Sequence, residues 1–149
     1  MKKLPFAALL LLFCLPTIAG RIVTDTVKSK ILSADVPCNV YLPDGFGKDK
    51  GQKYPVIYLL HGLSDDYRAW RDKGQMQTVV DELISSGECL PVVIIVPNAG
   101  GSGVHNIWNV YFNMPGWSYE DFFFQEFLPA MEKKYQAVGD KEHRAVMGL

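Results

Sequence analysis

Between positions 21 and 43 the stretches I-V-T-D-T-V and A-D-V-P-C-N-V-Y-L-P mix alternation with β-branched residues. This predicts one or two antiparallel strands at a sheet edge. The polar, Gly-rich loop D-G-F-G-K-D-K-G-Q-K follows, and Pro55 then opens V-I-Y-L-L, a run apolar on both faces and therefore a strand buried between helices. From Gln75 to Ser86 the residues Met76, Val79, Val80, Leu83 and Ile84 recur at helical spacing, with Gly87 as a natural C-cap. Pro91 introduces V-V-I-I-V, a second continuous apolar strand stopped by Pro97-Asn98, and a long loop runs on to Trp117. Ser118, with Asp121 three residues later, has the spacing of a capping box. Phe123, Phe127, Met131 and Tyr135 mark one helical stripe, which Pro129 should kink by removing a backbone bond. The polar V-G-D-K-E-H leads to a third apolar run, Arg144 to Gly148. The order strand, helix, strand, helix, strand, joined by right-handed crossovers, predicts an α/β protein with a mostly parallel sheet and helices on both faces. There is no internal repeat and no low-complexity segment.

Composition adds bounds. The 149 residues are 48% hydrophobic and 21% charged, a globular balance with room for one domain. A net charge of −1 without a basic cluster gives no sign of nucleic-acid binding. Residues 1–20 stand apart: Lys2 and Lys3 form a basic start, Phe6 to Leu15 an apolar run, and T-I-A-G a small-residue cleavage site. This is the pattern of a secretory signal peptide cut after Ala19 or Gly20, with residues 21–149 as the fold and a secreted or periplasmic destination. The apolar run is too short for stable membrane insertion, which takes about 20 residues. Cys14 is preceded by Phe13 where lipidation wants a small residue. Losing Lys2 and Lys3 takes the net charge to −3. Cys38 and Cys89 remain, as a disulfide that export permits or as two buried small hydrophobes.

In open parallel sheets ligands bind beyond the carboxyl ends of the strands. Three segments leave those ends: H-G-L-S-D-D after the first apolar strand, N-A-G-G-S-G-V-H after the second, and G-L after the third. A strand running into Gly-x is the first half of a nucleophile elbow, G-x-S-x-G, where close backbone packing demands small residues. The H-G-L turn is its natural complement, supplying a backbone N–H to an oxyanion hole worth about 3–4 kcal/mol per donor.

The segments V-Y-L-P-D-G, Y-P-V-I-Y-L-L-H-G-L-S-D-D-Y-R-A-W, Y-E-D-F-F-F-Q-E-F-L-P-A-M-E-K-K-Y and H-R-A-V-M-G-L, in this order, resemble an esterase family of α/β-hydrolases. That family includes esterase D, feruloyl and acetylxylan esterases and the mycolyltransferases, and the resemblance covers residues 21–149. It implies that S-M-G-G would follow Gly148-Leu149, so the chain is expected to stop one residue before its catalytic serine, with acid and histidine further on. It also implies an oxyanion donor at the Leu63 backbone N–H, with Gly62 letting the backbone turn. Ser64 sits beside that donor and, in G-L-S-D-D, lacks the closing glycine of an elbow. Trp70 matches a tryptophan often found after such a loop, as packing or as a wall of the site. Trp108, Tyr111, Phe112 and Trp117 give the long loop an aromatic density that suits sugars, phenolic acids or a hydrophobic lid. The candidate substrate-binding residues are thus Gly62, Ser64, Trp70 and Trp108.

His61 reads as a loop-shaping residue rather than a base. His105 lies in a Gly-rich loop, and His143 starts the last strand at the wrong end for catalysis. Asp65 and Asp66 read as solvated turn residues. No metal-ligand spacing, phosphate-binding glycine motif or cofactor is indicated. The resulting expectation is the amino-terminal half of a secreted serine esterase acting on a small or polysaccharide-linked ester, inactive and poorly soluble as this chain alone. The alternatives are an acyltransferase, or a short non-catalytic protein that binds carbohydrate or another chain.

Overall fold

The computed structural model describes residues 19–100 and 111–149. The readings made for residues 1–18, His105 and Trp108 lie outside the described residues. Strands β1 (Arg21–Ser29), β2 (Ala34–Leu42), β3 (Val56–Leu60), β4 (Val93–Pro97) and β7 (Arg144–Gly148) form one sheet in the order β1-β2-β4-β3-β7. A two-residue pair, β5 (Asn113–Met114) and β6 (Trp117–Ser118), stands apart from it. The first two strands make an antiparallel hairpin, Arg21 opposite Leu42 through Ser29 opposite Ala34. This is the edge the alternating pattern predicts. β2 is also antiparallel to β4, whereas β3 runs parallel to both β4 and β7, so the sheet is mixed.

Because strand side chains alternate between faces, each apolar strand feeds two cores. Val36, Cys38, Val40, Tyr58, Val93 and Ile95 share one face with Phe122, Phe127, Met131 and Tyr135. Tyr41, Ile94 and Val96 share the other with Met76 and Val80. Helix α2 (Met76–Ser85) covers this second face, and Gly87 follows it with φ +79 and its N–H on the Ile84 carbonyl. Burying each such side chain contributes about 1.5–3 kcal/mol, and the two-sided burial explains the unbroken apolar runs of β3 and β4.

The first face is covered by a helix in three pieces: α3 (Tyr119–Phe122), a π-helical turn (Phe123–Phe127) and α4 (Leu128–Lys134). The kink expected at Pro129 takes this form, since a wide turn absorbs the bond that proline cannot make. The extra residue shifts the stripe: Phe122, Phe127, Met131 and Tyr135 are buried, and Phe123 is only partly so, edge-on to Tyr58 at 5.2 Å. The expected capping box does not form. Ser118 makes no side-chain cap, and the Asp121 N–H donates instead to Asn113 Oδ1 at 3.1 Å, because the β5–β6 pair brings that amide to the helix start.

One further reading is corrected and one open alternative is decided. The run Arg144–Gly148 is a strand but not a buried one: β7 pairs with β3 on one side only, and Val146 and Met147 are exposed. For Trp117 the sequence left ligand stacking and a hydrophobic lid open; it is 2% exposed and stacks on Tyr119 at 6.1 Å within the core. Cys38 and Cys89 are free thiols, and burial pushes that of Cys38 up to about 12. Among the described residues no helix is long and apolar enough to cross a membrane.

Candidate active site

At the carboxyl end of β3 the chain makes a tight turn from Gly62 to Asp65, closed by the Asp65 N–H on the Gly62 carbonyl at 3.2 Å. Ser64 occupies its third position with φ +66, whereas Leu63 and Gly62 keep negative φ. This is the pattern of a type II turn, whose third residue must be left-handed and is usually glycine. The sequence reading gave that conformational burden to Gly62. The structure places it on Ser64 instead, because the Asp65 N–H closes the turn on the Gly62 carbonyl and makes Ser64 its third residue.

The turn leaves one donor without use. Among the described residues the Leu63 N–H donates to no protein acceptor, and the Leu63 side chain is 76% exposed. The turn lies against the end of β7: Leu60 pairs with Gly148, and a Cβ added at Gly62 would sit 3.6 Å from that of Leu149. Gly148 has no such room. A Cβ there would come within 2.8 Å of the Leu60 oxygen and Cβ, so the close approach requires glycine.

Residues from distant parts of the chain fix the turn. His61 is buried, and Tyr111 spans its peptide: the Tyr111 hydroxyl accepts from the His61 N–H at 2.9 Å and donates to its carbonyl at 3.0 Å. His61 Nε2 accepts the Ala99 N–H at 3.2 Å, which leaves the proton on Nδ1, 3.2 Å from the Gly62 carbonyl. Burial holds its pKa below the ordinary value. With both nitrogens engaged and the ring neutral, His61 shapes the loop. Further along, Tyr67 is held at both backbone groups. Its N–H donates to Asn98 Oδ1 at 3.3 Å, and its carbonyl accepts from Asn39 Nδ2 at 3.1 Å. Both asparagines are fully buried, and Thr24 donates to Asn39 Oδ1 at 2.8 Å. Sequence reasoning missed Asn39 and Asn98; the available signal was a polar residue within or just beyond an apolar run.

Trp70 lies in the short helix α1 (Ala69–Asp72) and donates its Nε1–H to the Leu60 carbonyl at 3.0 Å. It thus ties α1 to the last residue of β3. With Gly62, Ala69, Lys73 and Leu149 it also borders a pocket of about 240 Å³. On the opposite face of the sheet Leu60, Tyr111, Tyr119, Phe123, Phe124 and Val146 line a more apolar pocket of about 150 Å³. Asp65 pairs with Lys73, and Asp66 with Arg68, whose guanidinium holds the Asp66 carboxyl below its usual range. These two carboxylates are therefore paired rather than merely solvated. His143 lies at the other end of β7, its Nδ1 2.6 Å from Asp140 Oδ1. Among the described residues no cluster of His, Cys, Asp or Glu is placed to hold a metal.

The turn after β3 thus carries a backbone N–H that no acceptor among the described residues takes, on a segment packed against the glycine-tight end of β7. Comparison with known proteins gives the family. Residues 29–149 match the family described as "Putative esterase". An endo-1,4-beta-xylanase/feruloyl esterase of Xylanibacter ruminicola is 31% identical over 136 residues, covering 87% of this chain and 18% of that protein. A solved ferulic acid esterase is 47% identical with a TM-score of 0.83, covering 88% of this chain and 49% of that one. A mutant of the feruloyl esterase module from Clostridium thermocellum, complexed with sinapinate, is 26% identical with a TM-score of 0.69, covering 91% of this chain and 46% of that one. The chain therefore spans about half the length of these two structures and less than a fifth of the xylanase/esterase. The fold is that of the α/β-hydrolases, and the chain belongs to this esterase family.

Proposed function

We propose that this chain forms the oxyanion side of a secreted serine esterase acting on carboxylic esters of aromatic acids, including those linked to polysaccharides. The observation that carries the reading is the Leu63 N–H, which no acceptor among the described residues takes, on a turn that lies against Leu149 and follows the Tyr111-held backbone of His61. A serine at the position after Leu149 would stand at the tip of β7, across from that donor. Its attack on an ester carbonyl would place negative charge on the oxygen, and the Leu63 N–H would stabilise it until water releases the acid. The two pockets flanking the turn, one ringed by Tyr111, Tyr119 and Phe123, suit a planar aromatic acyl group on one side and the alcohol on the other. The names of the feruloyl esterase relatives support this substrate class. The leader-like start, Lys2 and Lys3 followed by an apolar run, supports export.

Residues 1–149 contain no G-x-S-x-G. The chain by itself is therefore expected not to turn over methyl ferulate or p-nitrophenyl acetate, whereas a chain extended after Leu149 by a serine elbow and the remaining triad residues is expected to do so. Leu63→Pro tests the donor directly. Proline is favoured at the second position of a type II turn, so the substitution deletes the N–H while suiting the backbone. In the active protein it should lower kcat by about 10²–10³. Full activity in Leu63→Pro, or turnover by residues 1–149 alone, would overturn the reading.

A further inference from the structure

Gly20, just before β1, carries an arrangement that the esterase site does not use. Gly20 is buried although its neighbours Ala19 and Arg21 are exposed. Its N–H donates to Asp81 Oδ1 at 2.8 Å, and its carbonyl accepts from Gln77 Nε2 at 2.9 Å. The same Asp81 oxygen accepts the Tyr41 hydroxyl at 2.6 Å. Gln77 and Asp81 lie four residues apart on α2, so one helix face presents both groups. Two features are unusual for a plain backbone contact. Asp81 is half-buried yet takes part in none of the ion pairs among the described residues. Its hydrogen-bond donors are instead neutral ones, the Gly20 N–H and the Tyr41 hydroxyl. In addition, a Cβ at position 20 would lie 2.5–2.6 Å from the Tyr41 hydroxyl and ring, so the seat admits only glycine unless Tyr41 moves.

We propose that the chain is processed between Ala19 and Gly20 and that the new α-ammonium of Gly20 is seated on the Asp81 carboxylate, with Gln77 and Tyr41 completing the cradle. The inference rests on the export reading and fixes the cut that the leader alone leaves open. A signal peptidase adds water across the Ala19–Gly20 peptide bond. Ala19 leaves with a carboxylate, and Gly20 keeps the nitrogen, which is protonated at neutral pH because an α-amino group titrates near 7.7–8.0. The amide donor already on Asp81 thereby becomes a cationic one, and the carboxylate gains its missing counter-charge. Cutting one residue later would remove both groups that Asp81 and Gln77 hold. The small-residue rule agrees, with Thr17 and Ala19 as the third-last and last residues before the earlier cut and the bulkier Ile18 in the third-last place for the later one.

The test begins with the full chain expressed with its own leader in a bacterial host. Intact mass and N-terminal sequencing of the exported fraction should give a chain starting at Gly20. An exported chain starting at Arg21 or elsewhere overturns the cradle and leaves the export reading standing. An uncut chain retained in the cytoplasm overturns both. Seating is then read from acetylation of the α-amine at neutral pH. It should be about tenfold slower in the folded protein than in the unfolded one, a ratio equal to one pKa unit, and Asp81→Asn should abolish the difference. Equal rates in the unaltered protein overturn the proposal. Should Asp81→Asn not fold, the titration of the Gly20 amine in the unaltered protein decides. The groups around it are Asp81 and Tyr41, with Asp44 and Cys89 further off. A midpoint above about 8.0 is expected, and one at or below it overturns the seat.

Discussion

Tyr111→Phe removes a single oxygen from the site, and the structure fixes what that oxygen does. It accepts the His61 N–H and donates to the His61 carbonyl, in a residue that is 1% exposed. Phenylalanine keeps the ring and its edge-on contact with Tyr119 at 5.7 Å, so packing is conserved. What is lost is the partner of two buried backbone groups, each costing about 1–3 kcal/mol when left unmade. Tyr111 also borders the 150 Å³ pocket, through which water can reach part of the gap. The lower end of the range applies, giving about 2–3 kcal/mol for the pair. With an m-value of about 2 kcal/mol/M for a chain of this size, the urea midpoint should fall by about 1–1.5 M at unchanged m. Intrinsic tryptophan fluorescence measures it. Phe112→Ala, at an exposed neighbour, is the control and should stay within about 0.5 kcal/mol. A Tyr111→Phe protein as stable as that control would show that the His61 peptide is held by something else, and the account of how Leu63 is positioned would fail.

Other consequences are open to the same kind of measurement. Gly148→Ala forces a methyl to within 2.8 Å of the Leu60 backbone and should destabilise by about 1–3 kcal/mol in chemical denaturation, as overpacking does; no change would mean that β7 can slide away from β3. Ser64→Gly should relieve the left-handed strain at φ +66 and stabilise by about 1 kcal/mol, and in the active protein it should leave turnover largely intact, which a nucleophilic Ser64 would not allow. Burial lowers the His61 pKa, so on acidification the unfolded chain takes up a proton near pH 6.5 before the folded one does. Stability should therefore decline from about pH 6.5 down to the folded pKa and level off below it, and His61→Gln should flatten that slope in urea titrations at stepped pH. Val146 and Met147 are exposed on a strand paired on one side only, so light scattering should show self-association of residues 1–149, reduced by Val146→Lys.

The local pattern determined the order of the strands and helices, the hairpin at the edge, the two-sided burial of β3 and β4, and the placing of H-G-L and G-L at strand ends. These follow from periodicities and turn residues that act over a few positions, and any fold containing the segments must respect them. The candidate donor at Leu63 was legible for the same reason, as the residue after a strand-ending His-Gly. What holds that donor was not. Tyr111 reaches His61 across 50 positions, Asn98 reaches Tyr67 across 31, and Asp81 reaches Gly20 across 61. No periodicity connects such pairs. Asn98 looked like a strand stop, Asn39 like one more position of an edge strand and Gly20 like part of a leader. The π-helical turn is a similar case: a stripe counted at 3.6 residues per turn selects Phe123, while the wide turn forced near Pro129 buries Phe122. Tertiary structure also moved the turn's strain from Gly62 to Ser64, because only the closed turn decides which residue must be left-handed. Sequence set which segments meet at the end of the sheet. The chain folding back on itself set which atoms are held there, since a hydrogen bond between distant residues depends on where both backbones already lie.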